Sequence, residues 1–379
     1  MGKYHIVVYA ICKNEAGFAD RWMDSMSEAD QVVVLDTGST DGTVERLRRR
    51  GAEVTVEQIS PWRFDTARNR SLSLVPEEAD LCVCTDLDEV FCPGWRAALE
   101  QNWSPEFQQV RYHYIWSFRP DGSDGVSFWG DKIHARHGFC WVNPVHEVLR
   151  CETGTAASVM IDGVRLEHHA DQTKSRGQYL PLLELAVQEN PLDDRNIHYL
   201  GREYMFYGRW EEAVATLKRH LALPTALWAE ERCASMRYIA RCLTELGRDG
   251  EAEQWLLRAC GEAPGMREPW LDLAQFRYRR EDWYGVIFAA RRALEIRERS
   301  GTYLSEPEAW GEAPYDLMSV AFYYIGDYRC ALAMGEEALK RCPQDRRLRD
   351  NLRLIRQKAG NLNDLEKMES FPGSLRANN

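Results

Sequence analysis

The sequence predicts an α/β domain with a mostly parallel sheet in its N-terminal part and an all-α domain in its C-terminal part. Strand and helix patterns alternate over the first ~170 residues, as they do where crossover helices join parallel strands. From about residue 175 onward the strand patterns disappear, and Gly, Ala and Pro punctuate helical segments. The chain of 379 residues is also too long for one ordinary core, so we expect more than one domain.

The predicted boundaries follow from where these patterns change. We expect the α/β domain at 1–172, a linker or helix at 173–189, helical repeats at 190–358 and a polar tail at 359–379. In the first domain, the patterns predict strands at 4–11, 31–35, 53–58 and 79–85 and helices at 17–29 and 43–50. Ligands bind outside the carboxyl ends of parallel strands, so the residues that follow these strands are the first candidates for a site.

Composition and charge argue against several classes of function. The formal net charge of −11 argues against general nucleic-acid binding, which needs a basic surface. No apolar run approaches the roughly 18 residues of a membrane span, and the N-terminus is typical of a first strand and not of a signal peptide. The eleven Cys residues lack a paired CxxC pattern. We therefore expect reduced thiols in the cytoplasm, with no zinc site and no disulfide.

The C-terminal part contains an internal repeat. Turn positions expected between paired helices fall at Gly208, Gly247, Glu281 and Gly326, with Glu281 standing where Gly is usual. Their spacing is near the 34 residues of a tetratricopeptide repeat, except that a loop at 301–314 stretches the last interval. The pattern resembles an array of about four such repeats, with a generic helical bundle as the alternative.

The acidic stretch Asp86-Leu87-Asp88 directly follows the predicted strand at 79–85. In an extended segment the side chains of Asp86 and Asp88 point to the same side. Two carboxylates there suit a hard divalent cation, Mn²⁺ or Mg²⁺, that also binds a diphosphate. A unit-charge contact at ~4 Å is worth about 4 kcal/mol at an effective dielectric near 20, so carboxylates facing a diphosphate need such a cation. If it stood alone, the motif would be an exposed acidic turn.

Two further motifs carry groups suited to a nucleotide. Asp36 ends an apolar strand, where its carboxylate can accept hydrogen bonds from a base N–H or a sugar hydroxyl. Asp41, in the Gly- and Ser-containing turn that follows, is interpreted as a turn or helix-cap residue. Arg68 next to Asn69 is either a phosphate-binding group or part of a salt bridge on a helix face.

Taken in order, four motifs resemble those of family 2 inverting glycosyltransferases. They lie at 11–15, 36–43, 64–69 and 86–89. The resemblance implies the GT-A fold, a Rossmann-like nucleotide-sugar domain, over the first ~170 residues. Together with the repeats, the chain is similar to bacterial peptide S-glycosyltransferases of the sublancin type.

The resemblance assigns donor-side roles to single residues. It implies that Asn14, Glu15 and Asp36 line the nucleotide pocket and that Arg68 lies near the nucleotide or the diphosphate. Asp86 would contact the ribose or the metal. The implied donor is a nucleoside diphosphate sugar, and we expect a UDP-linked sugar first.

The resemblance also assigns the remaining metal ligands. Asp88 would be the principal ligand, and His168 best matches the late His that binds the metal in GT-A enzymes. His169 stays open, because neighbouring residues of a strand face opposite ways. His146 could also bind the metal, position Glu147 or be structural.

The acceptor side is expected within residues 129–147. Glu147 is the candidate catalytic base that would deprotonate the acceptor during inversion. Trp129 and Trp141 could stack on a sugar or a base, or could belong to the core.

These roles predict a metal-dependent hexosyltransferase that acts on a peptide or protein side chain presented by the repeats. Transfer to a cell-surface polysaccharide or a lipid-linked glycan is an alternative, in which the repeats could form a homodimer. A second alternative is a non-catalytic repeat scaffold with a vestigial nucleotide-binding domain. A nucleotidyltransferase fits poorly, because Lys13-Asn14-Glu15 stand where its Gly-rich loop would be.

Overall fold

The computed structural model describes residues 2–119, 121–171 and 177–369. The chain divides into two compact units. Unit 1 contains residues 1–208 and 301–303, and unit 2 contains residues 209–300 and 304–379. Two predicted segments lie partly outside the described residues, namely 173–176 of the linker and 370–379 of the polar tail.

Unit 1 is built on an eight-stranded sheet with the order β3-β2-β1-β4-β7-β6-β10-β5, and β8 pairs with β9 in a separate sheet. The strands are β1 (Ile6–Cys12), β2 (Gln31–Asp36), β3 (Glu53–Val56), β4 (Leu81–Thr85), β5 (Glu89–Phe91), β6 (Gln109–Ile115), β7 (Ser127–Ala135), β8 (Phe139–Val142), β9 (Val148–Cys151) and β10 (Ser158–His168). Strands β3, β2, β1 and β4 are parallel, as predicted. The prediction is incomplete for the rest of the sheet, because β7 runs antiparallel to both β4 and β6.

Helices cover both faces of this sheet. The helices of unit 1 are α1 (Ala19–Ser25), α2 (Thr43–Arg49), α3 (Phe64–Leu72), α4 (Trp95–Asn102), α5 (Tyr179–Glu189) and α6 (Asp194–Phe206). Val8 of β1 lies in one core with Trp22 of α1, whereas Tyr9 lies in a second core with Leu72 of α3. A strand that is buried on both faces needs a continuous apolar run, which the sequence of β1 supplies.

Unit 2 is a helical-repeat fold. Its helices are α7 (Trp210–Ala222), α8 (Ala229–Glu245), α9 (Asp249–Glu262), α10 (Glu268–Arg279), α11 (Trp283–Glu295), α12 (Pro307–Trp310), α13 (Ala313–Tyr324), α14 (Tyr328–Arg341) and α15 (Arg346–Glu369). Successive helices pack on each other from α7 to α11 and from α12 to α15, and α11 packs on α13. In addition, α8 packs on α10 and α10 packs on α13. Contacts limited to near neighbours in sequence are typical of repeat arrays. Helix α15 continues through 359–369, which the sequence predicted as tail.

The predicted turn positions are confirmed by their backbone angles. Gly208, Gly247 and Gly326 have φ values of 69°, 71° and 86°, and Glu281 has a φ of 57°. The left-handed region costs glycine little, which explains why three of the four positions hold it. Glu281 adopts the same conformation despite its side chain, so the degenerate third repeat keeps the geometry of the others.

Among the described residues, no helix is both long enough and apolar enough to cross a membrane.

Candidate functional site

The carboxyl ends of β1, β2 and β4 lie at one edge of the sheet. Asn14 lies two residues after β1, Asp36 is the last residue of β2, and Asp86 directly follows β4. The prediction that these residues converge on one edge is confirmed, because β1 pairs in parallel with both β2 and β4.

Asn14 ties the loop after β1 to the loop after β2. Its backbone N–H donates to Ser39 Oγ at 2.7 Å, and its Oδ1 accepts from the Thr40 N–H at 2.8 Å. Asn14 has a φ of 56°, in the left-handed region that Asn tolerates better than most residues. Asn14 therefore shapes the loops, and its contact with a nucleotide stays a prediction.

The Asp36 carboxylate is buried beneath the turn that follows it. It accepts from the Gly38 N–H at 3.0 Å, from the Ser39 N–H at 2.8 Å and hydroxyl, and from the Cys12 thiol at 3.3 Å. Burial, together with the Asp36 charge, raises the pKa of Cys12 above its usual range. Asp36 is wholly inaccessible to solvent, so this carboxylate holds the turn, and its contact with a base or sugar stays a prediction.

Asp41 and Glu15 lie at the same junction of loops. Asp41 accepts from the Ala16 N–H at 3.0 Å and from the Thr43 N–H at 3.1 Å, which confirms its interpretation as a turn and cap residue. Glu15 is buried, and its backbone N–H donates to Thr43 Oγ1 at 2.8 Å. The predicted nucleotide contact of Glu15 stays untested.

Arg68 of α3 is the buried centre of the candidate site. Its Nη2 donates to Asp86 Oδ1 at 2.6 Å, and its Nε donates to Glu147 Oε1 at 2.9 Å. The guanidinium also lies over the Trp141 ring, 5.5 Å from the centroid. Arg68 therefore brings the acidic stretch and the candidate base together. Of its two interpretations, the structure shows the salt bridge, in a buried and not an exposed position, and binding of a phosphate stays a prediction.

Asn69 and Trp141 fix the hairpin of β8 and β9 beside Arg68. Asn69 Nδ2 donates to the Trp141 carbonyl at 2.8 Å, and the Trp141 N–H donates to Asn69 Oδ1 at 2.8 Å. The Trp141 indole donates to Tyr9 Oη at 2.9 Å inside the core. Of the two interpretations of Trp141, the core interpretation is therefore confirmed.

Lys132, Glu89 and Tyr114 join the site without having been predicted. Lys132 Nζ of β7 lies 3.4 Å from Asp86 Oδ2 and 3.2 Å from Glu89 Oε1. Tyr114 Oη of β6 donates to Glu89 Oε1 at 2.6 Å, and Glu89 Oε2 accepts from the Asp86 N–H at 2.9 Å. Burial acts to lower the pKa of Lys132, but Glu89 and Asp86 raise it well above its usual value. The sequence signal that could have indicated this part of the site is Glu89, the last residue of the acidic stretch 86–89.

His168 of β10 lies beside Asp88. Its Nε2 is 3.6 Å from Asp88 Oδ2, and its Nδ1 donates to the Trp116 carbonyl at 3.1 Å. The exposed Trp116 ring stacks on the imidazole, with 4.3 Å between centroids. In a neutral ring this arrangement leaves the Nε2 lone pair towards Asp88.

The other candidate rings of this region have different neighbours. His169 Nε2 lies 3.4 Å from Glu167 Oε2, and the His146 ring stacks on Tyr199 with centroids 4.2 Å apart. His168 is therefore the late His that faces Asp88. Trp129 is half-buried and lies 4.2 Å from the His113 ring, and its stacking on a ligand stays a prediction.

Charges of both signs surround Asp86. Asp86, Asp88, Glu89 and Glu147 supply carboxylates, while Arg68 and Lys132 supply cations.

Comparisons with known proteins bear on the repeat part. No protein-family model matches the chain. The chain is similar to the Cut9–Hcn1 hetero-tetramer of the APC/C (12% identity, TM-score 0.39), covering 48% of this chain and 33%, about a third, of that one. It is also similar to MamA, with 15% identity and a TM-score of 0.36 over 44% of this chain and 87% of that one. A thermophilic TPR protein of Thermus thermophilus is similar too, with 19% identity and a TM-score of 0.33 over 47% of this chain and 91% of that one. The C-terminal part is a helical-repeat fold by its own helix order and packing.

The predicted membership of family 2 glycosyltransferases, including the likeness to enzymes of the sublancin type, is wrong. The similar solved structures just named are repeat proteins, and none of these is a glycosyltransferase. The structure gives a physical reason for the error. Asn14, Asp36 and Asp41 shape the loops at the sheet edge, and that task alone explains their motifs. The coarser prediction of an N-terminal sheet and C-terminal helical repeats is confirmed.

Proposed function

We propose that unit 1 binds a nucleoside diphosphate sugar together with Mn²⁺ or Mg²⁺ and transfers the sugar to a peptide side chain recognised by the helical repeats. The observation that carries this proposal is the pair Asp88 and His168 beside Asp86 and Arg68 at the carboxyl edge of the sheet. The finer description of the sheet as a nucleotide-sugar domain, the preference for a UDP-linked hexose and the peptide acceptor are parts of the same proposal.

The donor atoms suit the proposed ion. Asp88 Oδ2 and His168 Nε2, 3.6 Å apart, would hold it. The prediction of Asp86 as a further ligand is not met, because among the described residues its carboxylate does not group with these two atoms and instead pairs with Arg68 and Lys132. The Trp116 carbonyl accepts from His168 Nδ1, which is the usual second contact of a metal-binding His. A bound divalent cation would neutralise the charge that develops on a leaving diphosphate.

The side chains of this chain have separate tasks in the proposal. Arg68 and Lys132 carry cationic groups suited to phosphate oxygens, and Arg68 would exchange its contact with Asp86 for such an oxygen. Glu147 would accept the proton of the acceptor nucleophile. Because Arg68 holds Glu147 through its Nε, binding of a phosphate at Arg68 is coupled to the position of the base.

A second candidate is a non-catalytic protein-binding scaffold. It is favoured by the pairing of Asp86 and Glu147 with Arg68 and of Asp86 with Lys132, since these contacts already satisfy both carboxylates. Asp88 also outweighs burial and raises the pKa of His168, so a protonated His168 would form an ion pair there. In this candidate the repeats carry the whole function.

A donor screen separates the two candidates. Purified protein is incubated with UDP-, GDP- and ADP-sugars, Mn²⁺ and a peptide library, and nucleoside diphosphate release and peptide mass are measured. The enzyme proposal expects release and a hexose mass gain that Asp88→Ala abolishes, while Glu147→Gln keeps donor binding and loses transfer. Asp162→Asn, at a largely exposed position, is the control that should retain both. Absence of release with every donor would favour the scaffold.

A further inference from the structure

The segment between α11 and α12 places an acidic side chain on two arginines of α8. Glu306 lies at the N-cap of α12, and its Oε2 is 2.9 Å from Arg237 Nη2 and 3.5 Å from Arg241 Nη2. Asp272 of α10 completes the group, accepting from Arg237 Nε at 2.8 Å and from Arg241 Nη2 at 3.0 Å. All four residues belong to unit 2.

The two carboxylates of this group differ in burial. The side chains of Asp272 and Arg237 are 7% and 1% exposed, whereas those of Glu306 and Arg241 are 34% and 41% exposed. Removing Asp272 would leave a buried guanidinium without its closest partner. Glu306 lies on the solvent side, where ion pairs contribute little to stability. A carboxylate from another molecule could therefore replace that of Glu306 at a small cost in folding stability.

The backbone around Glu306 is held without its carboxylate. Buried Glu268 Oε1 accepts from the Glu306 N–H at 2.9 Å, from Ser305 Oγ at 3.2 Å and from Trp310 Nε1 at 3.0 Å. The segment should therefore keep its place on α10 when the charge of Glu306 is removed or displaced.

We propose that Arg237 and Arg241 form a binding site for an acidic side chain of a partner peptide, and that Glu306 occupies this site as an internal competitor. Without the Glu306 charge, Asp272 supplies one negative charge to the two guanidinium groups, so one positive charge is left for a partner carboxylate to balance among the described members of this group. Guanidinium groups suit carboxylates because they offer paired donors in a fixed plane. The net charge of −11 disfavours non-specific approach of an acidic peptide, so binding of such a peptide would depend on this local pair of arginines.

This inference rests on the part of the proposed function that assigns peptide binding to the repeats, and it does not require sugar transfer. The test measures binding of a fluorescein-labelled deca-glutamate peptide by anisotropy, at low salt, with EDTA and without nucleotide. Its failure would leave the donor screen unaffected. Glu306→Gln should bind the peptide about tenfold more tightly than the wild type. Adding Arg241→Gln should remove the gain, and salt should weaken it.

Glu308→Gln is the matched control, since Glu308 is exposed and lies only two residues further along the chain. It should bind like the wild type. Equal affinity of Glu306→Gln and wild type, or a gain that Arg241→Gln does not remove, would overturn the proposal. An equal gain for single-stranded DNA would contradict the peptide assignment. Should Glu306→Gln melt early, Arg241→Gln alone gives the second readout: weaker binding than wild type supports the site, and unchanged binding contradicts it.

Discussion

Arg68 Nε donates to Glu147 Oε1 at 2.9 Å, although 79 positions separate the two residues in the sequence. The Arg68 side chain is 3% exposed, and its Nη2 also donates to Asp86. A single buried guanidinium therefore links α3, the end of β4 and the segment before β9. The contribution of Arg68 to stability and its role in the proposed chemistry both depend on these two hydrogen bonds.

Arg68→Met should lower the free energy of unfolding by about 2–3 kcal/mol, because it leaves Glu147 and Asp86 without their shared partner. Urea unfolding followed by circular dichroism measures the loss. Arg70→Met is the matched control on the same helix, since Arg70 forms an exposed pair with Glu57 and should cost less than about 1 kcal/mol. Equal losses in the two variants would contradict the importance of the buried link.

His134 should make the stability of unit 1 depend on pH. Its Nδ1 donates to the Ala135 carbonyl at 2.7 Å, its Nε2 accepts from Tyr9 Oη at 2.8 Å, and burial lowers its pKa from 6.5 to about 4. Between pH 6.5 and about pH 4, His134 binds a proton in the unfolded chain but stays neutral in the folded protein. Lowering the pH through this window therefore favours unfolding. The free energy of unfolding should fall by roughly 3 kcal/mol as pH decreases through this window.

Unfolding titrations between pH 4 and 7.5 check this dependence. His134→Gln should flatten the profile in this window, whatever its effect on stability at pH 7.5. His137→Gln replaces a mostly exposed His and should leave the slope unchanged. A wild-type slope that persists in His134→Gln would assign the dependence to other groups.

The backbone of the third repeat is strained at Glu281, and a substitution can relieve this strain. Glu281 holds a left-handed conformation with a φ of 57° at a turn where the other repeats use Gly. A side chain in that region costs about 1–2 kcal/mol, partly offset by the greater freedom of Gly in the unfolded chain. Glu281→Gly should therefore stabilise the protein by about 0.5–1 kcal/mol, measured by thermal and urea unfolding.

The reciprocal change provides the control for that prediction. Gly247 has a φ of 71°, and a Cβ added there would meet no heavy atom within 4 Å. Gly247→Ala should therefore destabilise the protein through the backbone alone, by about 1 kcal/mol. If Glu281→Gly and Gly247→Ala changed the free energy of unfolding in the same direction, the left-handed turns would not control the stability of the repeats.

Sequence patterns predicted those parts of the fold that local chemistry decides. The apolar runs located β1, β2 and β4, and the turn spacing located the four turns of the repeats, including the one at Glu281. The residues that follow the strands were therefore placed at one edge correctly. The alternation of side chains along a strand also left His168 and His169 as opposites, and the structure puts His168 towards Asp88.

The remaining parts depend on pairings that are distant in sequence. Lys132 and Tyr114 reach Glu89 only because β7 enters the sheet beside β4 and β6 lies beside β7, and no local sequence pattern indicates that order. Likewise, Asp36 looked like a ligand-binding carboxylate, yet its own turn supplies its hydrogen-bond donors. Short motifs specify a sheet edge better than they specify a family.

The most direct test of the proposed metal and nucleotide site is calorimetric titration of the protein with UDP, GDP and ADP, each with Mn²⁺ and with EDTA. The account predicts that one of them binds with Mn²⁺ and binds at least about tenfold more weakly with EDTA. Asp88→Asn should show the same weak binding with Mn²⁺, whereas Asp162→Asn should match the wild type. Binding that is indifferent to Mn²⁺ and to Asp88→Asn, or no binding of any of the three nucleotides, would contradict it.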